Sequence, residues 1–517
     1  MRLVRPLLIV AALLAAVLLP AGSALALSYP VKNVADGGPG SLRQAILDSN
    51  LHSGPDAIPI ETTGTIPLAT ELPPITGDVV ISGPGTDSLR VERSAATGFR
   101  ILDFADGVTA SLSGLTVSGG LATRGAGIRN GSGNLTLTRV VVEGNEALAE
   151  GAPTDEAEGG GVLSAGWLTV RESVVRDNRA NAVGGGTFDS ALGGGIAAAG
   201  PVLVSRSTIS GNAAEAFGEG GKQSRARGGG LLLVGGPASV ELSTVSGNSV
   251  VAGTSLTNEA RGGGVQGTEL SLVSSTVSTN SLTSNGFAAG ANLELQGTPH
   301  VSDTIVAEPL GDAASCGAPL KSGGFNLDED GSCGFDESSD LVGVVAGLDP
   351  VLRDNGGPTP TQALLPGSIA IDRGSSFGSS IDQRGLPRPS DFADVSNKEG
   401  GDGSDIGAFE LQVPPVKGSP VLVSETPTDR TPPNTRIVSG PPRVTYKTKA
   451  KFRFASSEGQ SHFQCKLDGK KWHHCANPFR PSVKPGRHLF KVRAIDRFGN
   501  VDPTPARFGW RVKPIAG

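Results

Sequence analysis

Histidine is absent between His52 and His300, tyrosine between Tyr29 and Tyr446, and Lys222 is the one lysine between Lys32 and Lys321. The long middle of the chain therefore lacks the residues that most often shuttle protons or ligate metals. Aromatic residues make up 4% of the 517, too few for a core built on large rings. No cysteine precedes Cys316, which excludes a lipid-modified cysteine near the N-terminus. Beyond the first residues no apolar run is long enough for a bilayer span. The 75 glycines carry no collagen period, and abundant Val, Ile and Leu argue against disorder. Many short strands and turns remain.

The N-terminus has the layout of a secretory signal over residues 1–26. Arg2 and Arg5 form a charged start, "PLLIVAALLAAVLLP" an apolar stretch, and "ALA" a small-residue cleavage site. The mature chain is then expected outside the cytoplasm, extracellular or at the cell surface, with no transmembrane segment after cleavage. In that compartment Cys316 with Cys333, and Cys465 with Cys475, read as two local disulfides. His473 and His474 beside the second pair leave a zinc site as the alternative.

The middle of the chain repeats. An Asn recurs at 145, 178, 212, 248 and 280, in steps of 33, 34, 36 and 32 residues. Such a period signals a solenoid. Counting back three from each Asn gives Val142, Val175, Ile209, Val245 and Val277. Eight back stand Leu137, Val170, Val204, Val240 and Leu272, and ten back Leu135, Leu168, Val202, Ala238 and Leu270. Alternation of apolar and polar residues over such short runs is strand periodicity. One unit cannot bury its apolar column, but stacked units can. The pattern predicts a parallel β-helix, one coil per repeat, with Asn145, Asn178, Asn212, Asn248 and Asn280 as a structural ladder. In this reading each Asn takes left-handed backbone at a bend and bonds its stacked copy, and each Gly triplet makes a tight turn. The variable stretches, such as "EALAEGAPTDEAE" and "AAEAFGEGGKQSRAR", read as polar loops inserted at one corner. Upstream, "DVVISGPG", "LRVERSA", "GFRILDFADG" and "ASLSGLTVSGG" suit earlier coils. Before them "GSLRQAILDSN" has capping-box spacing at Ser41 and Gln44 and predicts a short helix closing the open end of the stack.

The stretch from about 31 to 410 resembles secreted bacterial right-handed parallel β-helix proteins with a Cys-Ser-Leu-Arg-Glu-Ala-type start and a choice-of-anchor-type end. The carrying motifs are "GSLRQAI", with Gln44 where Glu is usual, then "DPVLRDNGGPTPTQALLPGSIAIDRG", "DQRGLPRP" and "DIGAFE". The resemblance implies fold and surface location rather than a reaction. After a Pro-rich linker, 411–431, comes a second module at 432–513 whose alternating strands place Phe452, Phe454, Phe490, Val492, Phe508 and Trp510 in a core. "CKLDGKKWHHC" and "DRFGNVDPTPA" resemble bacterial Ig-like or fibronectin-like repeats. The expected fold is thus all-β, a right-handed parallel β-helix (27–410) with a helical cap, followed by a small Ig-like β-sandwich.

Charge separates the two parts. From Thr431 onward 18 Lys and Arg stand against 4 Asp and Glu, whereas 27–430 holds 24 against 46. One-signed charge on a small module points to a partner of opposite sign. That partner is expected to be an anionic cell-envelope polymer or an extracellular polysaccharide, not nucleic acid, with Lys451, Arg453, Lys491 and Arg493 as the candidate polyanion-binding residues. A structural and adhesive role follows. The alternative is a polysaccharide lyase or glycoside hydrolase on the β-helix. Hydrolases need two placed carboxylates, and the Gly-His-Gly stretch of the pectin-hydrolysing β-helix families is missing. For a lyase, Arg139, Glu172 and Arg206, six places before the ladder Asn, are the candidates. Their competing role is a charge ladder that stabilises stacking. No catalytic residue or cofactor is assigned. Calcium at "LDEDGS" (Asp328, Glu329, Asp330) is the one metal possibility, against a plain polar turn.

Overall fold

The computed structural model describes residues 26–151, 154–184, 188–218, 223–253, 258–311, 313–412, 432–457, 462–470, 472–475, 479–495 and 501–514. The expected signal segment (1–26) lies outside them except for Ala26, as does the expected linker (411–431) except for residues 411 and 412. The chain divides into two compact units, Met1–Val416 and Lys417–Gly517.

The first unit is a parallel β-helix. One coil runs through strands Val162–Ser164, Trp167–Arg171, Val174–Arg176, Arg179–Gly184 and Phe188–Leu192. Each pairs in parallel with its counterpart in the coils before and after, and the apolar columns meet in register. Leu168 pairs with Leu135 and Val202, Val170 with Leu137 and Val204, and Val175 with Val142 and Ile209. These side chains are fully or almost fully buried in one continuous core. The upstream segments form earlier coils, with strands Val79–Ser82, Leu89–Arg93, Leu102–Phe104 and Thr109–Ser118.

The ladder Asn are buried; Asn145 Oδ1 accepts from Gly120 N–H, and from Asn178 on each Oδ1 accepts from the backbone N–H and side-chain amide of the Asn one coil earlier. The Asn145 N–H and Nδ2 lie 3.1 and 2.9 Å from Asn178 Oδ1, and the pattern repeats through Asn212, Asn248 and Asn280. Asn292 continues it beyond the repeat. The left-handed backbone lies one residue earlier than expected, at Gly144, Asp177, Gly211, Gly247 and Thr279. The Asn itself keeps ordinary backbone and turns its amide inward. A second ladder runs beside it, in which Ser173, Ser207, Ser243 and Ser275 accept from the residue one coil back. In the Gly triplets the first residue has φ near +60°, as at Gly193 (φ 63). The third passes so close to the ladder that a Cβ at Gly195 would meet Asn212 Cγ at 2.9 Å.

The variable stretches are not loops. They form two further parallel sheets, one of seven strands and one of five among the described residues, facing each other as a thin fin. Ala147, Ala180 and Ala214 stack in one, and Ala157, Ala191, Ala226 and Ala260 in the other, all with 0% exposure. Alanine inside and Glu, Arg or Ser outside alternate as strands do, but alanine carries too little apolar surface to stand out in the sequence.

The helix Leu42–Asn50 packs Leu42, Ala45 and Ile46 on the core at the N-terminal end, and the Ser41 hydroxyl caps Gln44 N–H. The Gln44 side chain turns to Asp48, so half of the capping box is made. At the other end, residues 344–411 fold back as a strap over the outer face of later coils. The Gln383 amide donates to Thr208 Oγ1 at 2.9 Å and accepts from Thr244 Oγ1 at 2.6 Å. Thr276 Oγ1 accepts from Ala408 N–H.

The second unit packs an antiparallel pair, Thr435–Ser439 and Arg453–Ser456, against a five-stranded sheet ordered Val444–Thr445, Ala506–Val512, Gly486–Ile495, His462–Leu467 and His473–His474. Phe452 stacks on Phe490 at 4.2 Å between centroids, with Phe454, Val492 and Trp510 buried around them and Phe508 partly buried. Both disulfides are formed, Cys316–Cys333 and Cys465–Cys475, with Cα atoms 4.9 and 5.6 Å apart. Sulfurs bonded to each other cannot ligate zinc, so the zinc alternative falls.

Candidate polyanion-binding face

Arg139, Glu172 and Arg206 stack on successive coils at a corner where each takes φ near +50°. Arg139 Nε lies 2.8 Å from Glu172 Oε2, and Arg206 holds the other oxygen of the same carboxylate. The geometry is that of the charge ladder, with both arginines engaged by one carboxylate. A shallow groove of about 330 Å³ opens on the outer face of earlier coils, lined among others by Asp87, Arg90, Thr116, Glu143 and Arg176. Glu143 bridges Arg90 at 2.5 Å and Arg176 at 2.6 Å. Burial works against its charge, but the hydrogen bonds from Arg176 and Arg90 outweigh it and hold the carboxyl below its usual range. It is therefore a poor proton donor.

In "LDEDGS", Asp328 accepts from the N–H groups of Gly331 and Cys333, and Asp330 from those of Ser315 and Ser332. Glu329 accepts from Glu308 N–H. Their oxygens fold the turn that carries the Cys316–Cys333 bridge. Among the described residues no group of three or more His, Cys, Asp or Glu is placed to hold a metal.

Sequence reasoning missed a buried charged cluster under the strap. Arg388 is ion-paired with Asp303, donates to Gly407 O at 2.7 Å and lies 3.7 Å from Glu410. Asp405 accepts from Asp372 N–H and Leu411 N–H. Asp303 stands at the same corner as Arg139, Glu172 and Arg206, which was the available signal. The cluster is closed to solvent and locks the strap.

The second unit carries the open charge. On the outer face of its five-stranded sheet, antiparallel register sets Lys466 opposite Lys491, Lys491 opposite Arg507, and Arg487 opposite Arg511. Like charges directly opposite on neighbouring strands are destabilising. Among the described residues none of these cations has a carboxylate partner. The described carboxylates of this unit are Asp468, held by His488 and Leu489 N–H, and Asp502, buried against Thr435 and Thr504. Arg493 donates to Gln464 Oε1 at 2.9 and 2.6 Å, and its guanidinium covers the Trp472 ring at 4.5 Å.

The four predicted residues do not form one patch. Lys491 and Arg493 lie on this face. Arg453 opens the strand Arg453–Ser456 of the other sheet and Lys451 lies just before it; both are exposed while Phe452 and Phe454 between and beside them are buried in the core, so they face away from it on the back of the unit. Lys466, Arg487, Arg507 and Arg511 were missed because their placement depends on which strands pair, and local alternation does not give the pairing.

No protein-family model and no curated relative matches the sequence. Solved structures similar to it include the A-modules of the mannuronan C-5 epimerases AlgE6 and AlgE4 of Azotobacter vinelandii, at 13% and 11% identity. Each covers 61% of this chain, and 98% and 96% of the respective module, with a TM-score of 0.27. A likeness of that depth assigns neither an activity nor a site to this chain.

Proposed function

We propose that the protein is an extracellular or surface-associated adhesive protein, in which the β-helix is a rigid scaffold and the basic unit holds an anionic cell-envelope polymer or extracellular polysaccharide. The observation that carries this reading is the row of cations in cross-strand register, without a carboxylate partner among the described residues, an arrangement unfavourable in the free protein and relieved by a polyanion. Two disulfides and the signal-like N-terminus support a place outside the cytoplasm. The reading assigns no cofactor and no catalytic residue. Its lyase candidates on the coils are tied in ion pairs, which favours the ladder role.

The test is retention of the full chain on an immobilised acidic polysaccharide across a salt gradient. Wild type should elute at higher salt than the variant with Lys466, Lys491 and Arg507 all changed to Gln. Co-elution of the two would remove the basic face from the account.

A further inference from the structure

The register on the basic face has a direction. Trp472 lies one position before the His473–His474 strand, whose pairing sets Gln464 opposite His474 and Cys465 opposite His473. Continued by one residue, that register puts Trp472 opposite Lys466, and the Lys466 ammonium is 5.8 Å from its ring. Trp472, Lys466, Lys491 and Arg507 therefore form one line crossing four adjacent strand positions. Three strand spacings of about 4.8 Å make it about 14 Å long. Arg493 is not a free cation of this line. Doubly bonded to Gln464 and stacked on Trp472, it fixes the indole at the end of the line. The other cations of the sheet, Arg487 and Arg511, stand four residues along the strands, about 14 Å away.

We infer, resting on the polyanion reading above, that this line is a subsite for an acidic polysaccharide laid across the strands, with one sugar ring on Trp472 and successive carboxylates on Lys466, Lys491 and Arg507. A polyuronate carries one carboxylate per ring, a repeat close to one strand spacing, so three or four residues fill the line. A phosphate polymer without rings makes no use of Trp472. Single-stranded nucleic acid needs aromatic platforms for successive bases. Here one indole stands at the end of the line, and Tyr446 lies at the far corner of the sheet, beside Lys513.

The experiment titrates the full chain with galacturonate oligomers of two to eight residues, with polyphosphate of matched charge, and with a single-stranded oligodeoxynucleotide. Affinity for the uronate series should climb to three or four residues and then level. Lys491→Gln should weaken it roughly tenfold, and Arg511→Gln or Arg453→Gln less than about threefold. Trp472→Ala should weaken uronate binding but not polyphosphate binding, with Trp472→Phe restoring most of the loss. Thermal midpoints no lower than wild type would show that the variants are folded. Equal losses from all three charge variants, or Trp472→Ala without effect on the uronates, would overturn the line while leaving a diffuse polyanion face. Preferred binding of polyphosphate or the oligodeoxynucleotide would also overturn it. Binding of no polyanion at all would instead refute the reading on which it rests.

Discussion

Lys491 stands between Lys466 and Arg507 on neighbouring strands, so its charge meets repulsion from both sides. Lys491→Glu should therefore stabilise the unit, by roughly 0.2–1 kcal/mol for each cross-strand pair changed from like to opposite charge. The same substitution should abolish retention on an acidic polymer. Thermal unfolding beside salt-gradient elution checks both, and a destabilised variant would mean that these side chains splay apart in solution. The ladder Asn behave differently, because each is doubly engaged and buried. Asn212 Oδ1 takes both the backbone and side-chain N–H of Asn178 at 3.0 Å. Asn212→Ala leaves those donors unsatisfied and should cost about 1–3 kcal/mol per orphaned group, read by urea unfolding. Replacing an exposed corner residue such as Arg139, 70% exposed and held by one ion pair, should change stability by less than about 1 kcal/mol.

At the scale of elements, the fin depends on alanine. Its two sheets face each other across Ala182, Ala191, Ala216 and Ala226, all without exposure, and small side chains allow a close approach. Ala216→Leu should destabilise by about 1–3 kcal/mol through overpacking, whereas the same change at a true surface loop would be neutral; the thermal midpoint separates the two. That contrast also explains what could be read from the residues alone. The main columns were legible because Val, Ile and Leu at fixed offsets from the Asn carry a strong period, and Leu168 against Leu135 and Val202 follows that count. The fin was hidden because alanine between glutamates resembles a polar loop. The strap was hidden for another reason. Gln383 meets Thr208 across 175 residues and Thr244 across 139, and no local pattern announces such a pairing. The basic face was half legible: alternation placed Lys491 and Arg493 outward, but only strand pairing separates them from Lys451 and Arg453 and adds Lys466 and Arg507.

At the scale of the whole molecule, two charge distributions have separate consequences. Under the strap, Asp303 faces Arg388 from the coil, and Asp405, Glu410 and Asp372 surround them from the strap. Burial lifts Asp303 to about 8, with Arg388 opposing and Glu410 adding to the shift. Asp405 and Glu410 are also raised, first by burial and then by neighbouring carboxylates. A carboxyl with a raised folded value binds its proton more tightly in the fold than in the unfolded chain. Its contribution to stability is therefore complete below about pH 4 and is lost as pH rises to about 8. The thermal midpoint of the β-helix should fall between pH 5 and 8, and Asp303→Asn should flatten that slope. A midpoint rising over the same range would show that Arg388 keeps Asp303 ionised. The second distribution is the excess of 18 cations over 4 carboxylates from Thr431 onward, on which the functional account stands. The most direct test of that account incubates the full chain with a panel of acidic and neutral polysaccharides, with and without calcium. Retention is followed by co-sedimentation and chain length by mass spectrometry. The account predicts that acidic chains are retained and keep their length, and that the Lys466, Lys491 and Arg507 to Gln variant releases them. Shortened chains from any glycan, or retention unaffected in that variant, would contradict it.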